Sequence, residues 1–550
     1  MKKILVFYLG FFILFSGIEF CPGQVALEPV PPPLGNFNFI HYSAPEFFSF
    51  DELVSLSKSP DPIGPPYIKL QKLWTTPIIS NEAYYRGVQP PKRIHPILGH
   101  FLRLATWNIE WSIETDQAIT AFTDRKGYQA LINQDKFKSS SKKYKKALEE
   151  RDLLAEADII LLQEMDIGVK RSGYRDAAKD LANALDMNYA YGAAYLEVDP
   201  AILGTEDIHF KDGAIDDKEA MEYFRVDPKR YKGMFGSAVL SRYPIKSATV
   251  IPLRNQGYDW YWGEKRKFSF LEKAKRTSAK RLLHEEIHRE IKVGGRIFMR
   301  VDLYVPGLPH DTLTVINVHL EVKCLPKARE AQAKEILDYI RGIDNPVVMA
   351  GDFNAAPTDL SPTSTVRLVK RKAKDSTLWF SLAVSRLTTY GLFINTARTV
   401  SNFTKNYQNP MAKSIPVIAP NSTRGLFKAI QDFRFNDGYA FDFRGVPERS
   451  IGHKHGTLAD SNHRDKRGFK TTFRLNNQPI VRVIGKYRLD WVFVKSFLKN
   501  PKDKNGSYRF APHFGRTLEE MNMVLKKRIS DHQPNIVDLP FDEPAIKRND

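Results

Sequence analysis

The sequence predicts an α/β (α+β) layered domain in which β-sheet packs beneath helices, and three observations carry that expectation. Short apolar runs bounded by Gly, Pro, Asp or Asn recur from about residue 100 to the C-terminal region, as buried strands do. Between them lie segments whose apolar residues follow the helical period. The composition, 42% hydrophobic and 26% charged over 550 residues, suffices for a large core.

The chain opens on Met1-Lys2-Lys3 and an apolar run from Ile4 to Phe15. Basic residues before so short a run have the layout of a secretory signal, assigned to residues 1–24, whereas a membrane-spanning helix needs about 20 apolar residues. Export, periplasmic or secreted, is therefore expected. A lipid anchor at Cys21 is disfavoured, because Glu19 and Phe20 stand where small residues belong. Residues 25–98 are proline-rich, densest at Pro29 and Pro31-Pro32-Pro33, and read as an extended arm or linker. Aromatic residues further along it (Phe47, Phe48, Trp74, Tyr84, Tyr85) suggest that parts of it pack onto the main domain.

The main domain is expected over 99–545. Strand candidates are Leu102–Ile109, Asp158–Gln163, Ser237–Leu240, Ile297–Val305, Thr312–Leu320, Pro346–Ala350, Leu489–Val494 and Asn535–Leu539. Tyr144–Ala157 reads as a helix. Lys327–Ile340 is another, with Ala333, Ile336, Leu337 and Ile340 on one face. Stretches near 200–235, 255–290 and 358–475 are highly charged and look like loop insertions, where recognition usually resides.

Lys and Arg number 82 against 63 Asp and Glu, a net charge of +19, which favours anionic partners such as nucleic acid, phospholipid headgroups or other phosphate esters. With only Cys21 and Cys324, a disulfide framework and a cysteine-based zinc site are both excluded.

Polar residues able to do chemistry close the strand candidates: Thr106-Trp107-Asn108-Ile109-Glu110, Gln163-Glu164, Asn317-Val318-His319-Leu320, Gly351-Asp352-Phe353-Asn354, Leu489-Asp490-Trp491-Val492 and Ser530-Asp531-His532. A rigid strand followed at once by a carboxylate, amide or imidazole is a common way to fix a site. Singly, each is as readily a turn or capping residue. In this order, together with Ser237-Ala238-Val239-Leu240-Ser241-Arg242-Tyr243-Pro244-Ile245, the set resembles the endonuclease/exonuclease/phosphatase superfamily, which contains deoxyribonuclease I, neutral sphingomyelinases and inositol-polyphosphate 5-phosphatases. The resemblance implies a four-layer sandwich, two central mixed β-sheets flanked by helices, with the active site at one end.

It also implies metal-dependent hydrolysis of phosphate esters. Glu164, Asn108 and Asp531 are the expected metal ligands, with Glu110 as an added carboxylate. Oxygen donors of this kind suit magnesium, with manganese or calcium as alternatives. His532 would be the general base or the stabiliser of the charged transition state, oriented by Asp490. Asp352 would orient the attacking water and Asn354 would hold a phosphate oxygen. His319 resembles the second histidine of the deoxyribonuclease, sphingomyelinase and 5-phosphatase branches, and disfavours the abasic-site endonuclease branch, which lacks it. Arg329 and Ser237 are the expected substrate-binding residues, Arg329 and Gln332 sharing one helix face. Ser237 departs from the Asn common in the family and donates only one hydrogen bond.

Nucleic acid is the favoured substrate because Lys and Arg contacts to phosphate dominate its affinity. The segment Tyr258–Lys267 interleaves aromatic and basic residues, as a stacking platform would; the same rings would serve a membrane interface, or belong to the core. Sphingomyelinase-like or inositol-phosphate hydrolysis is the alternative, and a non-catalytic phosphate-binding module is a third possibility. No protein partner is expected.

Overall fold

The computed structural model describes residues 27–29, 38–96, 98–206, 225–265, 290–356, 421–441, 471–474, 486–498, 508–511 and 513–542. The signal segment assigned to residues 1–24 lies outside them, as do residues 207–224, 266–289, 357–420 and 442–470 of the three insertions. Among the described residues, no helix is long and apolar enough to cross a membrane.

Among the described residues the two central sheets have eleven and five strands, and ten of these make up their middle: β1 (Gly99–Asn108), β2 (Ile159–Ile167), β3 (Asn188–Glu197), β4 (Met234–Ser241), β5 (Ile245–Pro252), β6 (Ile297–Tyr304), β7 (Thr312–His319), β8 (Val347–Asp352), β9 (Asp490–Lys495) and β10 (Asn535–Pro540). The first sheet runs β10-β1-β2-β4-β3, with β1 and β2 parallel and the other pairs antiparallel. The second runs β9-β8-β7-β6-β5, with only β7 and β8 parallel. Both sheets are mixed, and helices flank both.

Alternation along the strands assigns the layers. Leu104, Leu161 and Val239 from the first sheet meet Val315, Val348 and Val492 from the second in a core between the sheets. The opposite face of the first sheet packs on helices 115–123, 142–155 and 177–184, through residues such as Phe122, Leu154 and Leu181. The opposite face of the second is covered by helices 326–340 and 424–432, through Ile336, Leu337, Ile340, Phe427 and Ile430. Ala333, Ile336, Leu337 and Ile340 share the buried face that their spacing foretold. Each fully buried aliphatic or aromatic side chain contributes ~1.5–3 kcal/mol.

Residues 38–96 are not a linker. Ile78–Ser80 pairs with β3, Tyr42–Ser43 pairs with Ile78–Ser80, and Pro91–His95 pairs with β1, so the stretch extends the first sheet at both flanks. Its two longer helices start on local signals. Ser49 and Glu52 form a reciprocal capping box for Phe50–Lys58, and Pro65-Pro66 occupy the first turn of Pro65–Thr75, where proline costs no hydrogen bond. β3 also escaped the sequence reading, because glycine and alanines interrupt it. Gly192 is required there: a Cβ would stand 2.8 Å from Val250 and 3.1 Å from Ile297 and Met299 of the facing sheet.

Candidate active site

Register builds half of the site. His319 is opposite Asp352, and Asp352 is opposite Asp490, so the last rung of the second sheet carries three functional side chains in one row. Two residues along each strand from that rung, Asn317, Ala350 and Val492 face the first sheet, and a period of two sends His319, Asp352 and Asp490 the same way. All three are buried.

The first sheet supplies the other half. Asn108 ends β1 on its inner face, two residues beyond Thr106. Strict alternation along β2, with Leu161 and Gln163 inward and Leu162 outward, would turn Glu164 toward the helices. A β-bulge prevents this. Gln163 pairs with Ser237 and Met165 with Gly236, leaving Glu164 unpaired at φ +59°. The left-handed backbone, worth roughly 1–2 kcal/mol of strain in a non-glycine residue, re-aims the side chain inward. Ser112 Oγ steadies the bend by donating to the Glu164 carbonyl across 3.0 Å. The Glu164 carboxylate then accepts from Asn108 Nδ2 at 3.0 Å and stands 3.8 Å from His319 Nε2. Asn108 Nδ2 also donates to Asp352 at 3.1 Å, joining the sheets across the cleft. Beneath it, Gln163 Nε2 donates to Asn317 Oδ1 at 2.7 Å, and Asn317 Nδ2 to the carbonyls of Leu162 and Ala238, locking the sheets together.

Glu110, Trp111 and Ser112 are three consecutive left-handed residues (φ 46°, 53° and 55°). The Glu110 N–H donates to Asn108 Oδ1 at 3.1 Å, and its carboxylate accepts the Asp531 N–H at 2.8 Å. Burial, then the charges of Asp531 and Glu164, push the Glu110 carboxyl up to about 8.

The 530–532 loop is fixed from several sides. Ser530 Oγ donates to the Asn108 carbonyl at 2.7 Å and accepts the His532 N–H at 2.9 Å. Trp107 Nε1 and Asn522 Nδ2 both donate to the His532 carbonyl. His532 Nδ1 lies 2.8 Å from Asp490 Oδ2, and Nε2 points toward Asp352, 3.9 Å from its Oδ2. Burial disfavours the imidazolium, but the Asp490 charge and hydrogen bond outweigh it and hold His532 well above the usual histidine range. His319 goes the other way: burial, then Arg296 and the charge of His532, press it well below that range. Burial and then Asp490 raise Asp352 to about 7. The two histidines are thus pushed in opposite directions, each with its Nε2 within 4 Å of Asp352 Oδ2, at 3.8 Å and 3.9 Å.

Eight of the expected residues converge here: Asn108, Glu110, Glu164, His319, Asp352, Asp490, Asp531 and His532. Asn354 supports them, its N–H donating to Asp352 Oδ1 at 2.7 Å and its side-chain amide to the Leu320 carbonyl at 2.9 Å. Arg329, expected to bind substrate, is buried instead. It is 1% exposed, and its guanidinium donates to the carbonyls of Glu321 and Val322, fastening the loop that follows His319. Ser237 is likewise buried, on the rung of Gln163 between the sheets. The aromatic segment is largely core: Trp260 and Tyr261 are buried, with Trp260 Nε1 donating to Glu321, while Trp262 is exposed. Sequence reasoning missed Ser530's bridging role, Asn522, Thr472 and the buried Arg296–Glu321 pair at 3.0 Å. Ser530 alone carried a signal, as the first residue of Ser-Asp-His.

Two donor sets suit a cation. Glu110, Glu164 and Asp531, with Asn108, gather hard oxygen donors whose mutual repulsion a divalent ion would relieve, which fits magnesium, manganese or calcium. Asp352, Asp490 and His532 also each place one ligand-capable atom within 4.8 Å of the others. The first set is favoured, because Asp490 holds His532 toward its protonated form, and an imidazolium has no lone pair for a metal.

No curated protein matches the chain. Solved structures similar to it include an endonuclease/exonuclease/phosphatase from Beutenbergia cavernae, with 16% identity over 80% of this chain and 72% of that one, TM-score 0.33. An AP endonuclease from Archaeoglobus fulgidus shows 13% identity over 79% and 98% of the two chains, TM-score 0.34. A 3'-5' exonuclease from Neisseria meningitidis shows 12% over 80% and 99%, TM-score 0.34. The model of the Endonuclease/Exonuclease/phosphatase family matches residues 105–532, a span running from the end of β1 to His532, and the chain belongs to that family.

Proposed function

We propose that the protein is an exported, divalent-metal-dependent phosphodiesterase whose favoured substrate is nucleic acid. The observation that carries the catalytic part is the Asp490–His532 pair, 2.8 Å apart, directed at Asp352 and facing the Asn108–Glu164 carboxamide–carboxylate pair across the cleft.

In this reading Glu164, Glu110 and Asp531 hold the cation, with Asn108 beside them. When bound, it neutralises charge on the phosphate oxygens. His532, cationic through Asp490, donates from Nε2 to a non-bridging oxygen as negative charge builds in the transition state. Asp352, with a carboxyl poised near 7, is matched to take a proton from the attacking water at neutral pH. His319, neutral and fixed at the end of β7, contacts the phosphate or the departing oxygen. The substrate preference is supported by the net charge of +19, and export by the basic and apolar start of the chain.

The test is incubation of the purified protein with DNA, RNA, sphingomyelin and inositol phosphates, with magnesium and with a chelator. Chelator-sensitive cleavage of DNA or RNA is the expected result. Turnover of sphingomyelin or inositol phosphates alone would move the substrate class. Tight binding without turnover of any of the four would leave a phosphate-binding module.

A further inference from the structure

The Asp490–His532 pair is held on both sides by one residue that lies outside the strand-end motifs. Thr472 belongs to the long 358–475 insertion and is completely buried. Its hydroxyl oxygen accepts the N–H groups of Leu489, at 3.0 Å, and Asp490, at 3.2 Å. Its carbonyl accepts the N–H of Gln533, the residue after His532, at 2.6 Å. The next residue, Phe473, forms an isolated bridge with His532 and sets its ring 5.0 Å from the imidazole. Phe473-Arg474 also pairs with Lys486-Tyr487, so the end of the insertion is tied to the strand leading into Asp490.

We propose that Thr472 is a positioning residue for catalysis, fixing Asp490 relative to His532 by bonding the amide of Asp490 and that of Gln533, the residue after His532. This rests on the phosphodiesterase reading above. Asp490 and His532 are 42 residues apart, Asp490 opening β9 of the second sheet and His532 lying in the loop before β10 of the first. Besides the pairing of their side chains, Thr472 links the two segments through the amides of Leu489, Asp490 and Gln533, and Asn535 Nδ2 adds a bond to the Asp490 carbonyl at 3.1 Å. A hydroxyl is needed, because the Asp490 and Leu489 amides are buried donors that must be satisfied. The insertion therefore contributes to the alignment of the catalytic pair as well as occupying sequence beside it.

The test compares Thr472→Val, which keeps the shape and removes the acceptor, with Thr472→Ser, which keeps the acceptor. Bis(p-nitrophenyl) phosphate with magnesium is the probe substrate. T472V should lower kcat by ~10–100-fold with KM and magnesium affinity within about twofold, and T472S should recover most of the loss. Because Thr472 acts through Asp490, T472V should cost almost nothing further in a D490N background. The downfield Nδ1–H proton resonance of His532, in protein labelled with ¹⁵N-histidine, gives a readout without turnover. It should move or vanish in T472V and persist in T472S. Unchanged kcat in T472V, equal damage in T472S, or full additivity with D490N would overturn the proposal. Absence of turnover in the wild type would strike the phosphodiesterase reading alone, and the resonance would still decide the role of Thr472: retention in T472V rejects it.

Discussion

Asp490 Oδ2 stands 2.8 Å from Nδ1 of His532, and both side chains are buried, so each is the principal partner of the other's charge. The carboxylate dictates which imidazole nitrogen keeps its proton and directs Nε2 to the cleft. Asp490→Asn preserves size but reverses that preference. It is expected to lower kcat by ~10²–10⁴-fold, close to the loss from His532→Ala, with little change in magnesium affinity. Single-turnover cleavage of DNA measures both; a D490N enzyme within a few-fold of wild type would remove the dyad from the mechanism.

Glu164 reaches the cleft only through its bulge, and Asn108 is the residue that fastens it to Asp352. Glu164→Gln keeps the hydrogen bond from Asn108 and deletes the charge. Affinity for Mg²⁺ or Mn²⁺ should fall by at least ~10–100-fold, with the fold intact. Calorimetric titration with Mn²⁺, accompanied by circular dichroism, checks this. Unaltered affinity would shift the cation to Asp352, Asp490 and His532.

The Glu110 carboxyl is held up to about 8 in the metal-free protein by burial, Asp531 and Glu164. At pH 7 it is therefore mostly protonated, and a cation bound beside it must displace that proton. Apparent metal affinity should rise by up to ~10-fold per pH unit between 6 and 8 and flatten above. The same shift has a stability consequence. The unfolded chain releases this proton near 4.5, the folded one near 8, so Glu110's contribution is fully present below 4.5 and is lost as pH climbs to 8. Melting of the metal-free protein should show this loss, and Glu110→Gln should flatten both profiles. Proton release that is absent from calorimetry in buffers of different ionisation enthalpy would refute the assignment.

The strand ends were legible because their information is local. A run of apolar residues ended by Asn108, His319 or Asp352, or opened by Asp490, fixes both the element and the end of the sheet at which the side chain emerges. Glu164 was legible as a residue but not as a direction, since its aim depends on an extra residue in β2 that only the register with β4 reveals. Thr472, Asn522 and Ser530 act through contacts with residues far away in sequence or through backbone atoms, neither of which leaves a pattern in composition. Arg329 was misjudged for a related reason. A basic residue on a helix suggests a phosphate, whereas the carbonyls that it serves, at Glu321 and Val322, are invisible in sequence. The N-terminal stretch misled because its prolines were weighed more heavily than Ser49, Glu52 and the position of Pro65-Pro66, which mark helix starts.

Gly351, immediately before Asp352, shows how narrowly the rung of His319, Asp352 and Asp490 is built. Its φ is +141°, and a Cβ there would lie 2.0 Å from the carbonyl oxygen of Val318, one residue before His319. Both objections fall on backbone, which cannot swing aside as a side chain can. Gly351→Ala must therefore part β7 from β8 at the rung of Val318 and Gly351, next to the one where His319 faces Asp352. A cost of ~1–3 kcal/mol in stability is expected from the overpacking alone. Catalysis should suffer more than stability, because a displacement of about 1 Å between the two side chains can cost ~10²-fold in rate. Gly438→Ala provides the comparison: it shares a positive φ, +84°, but a Cβ there meets nothing within 4 Å. Urea melts and kcat for the two variants separate the effects. Equal kcat in both would mean that the close approach of Gly351 to Val318 does not set the distance between His319 and Asp352.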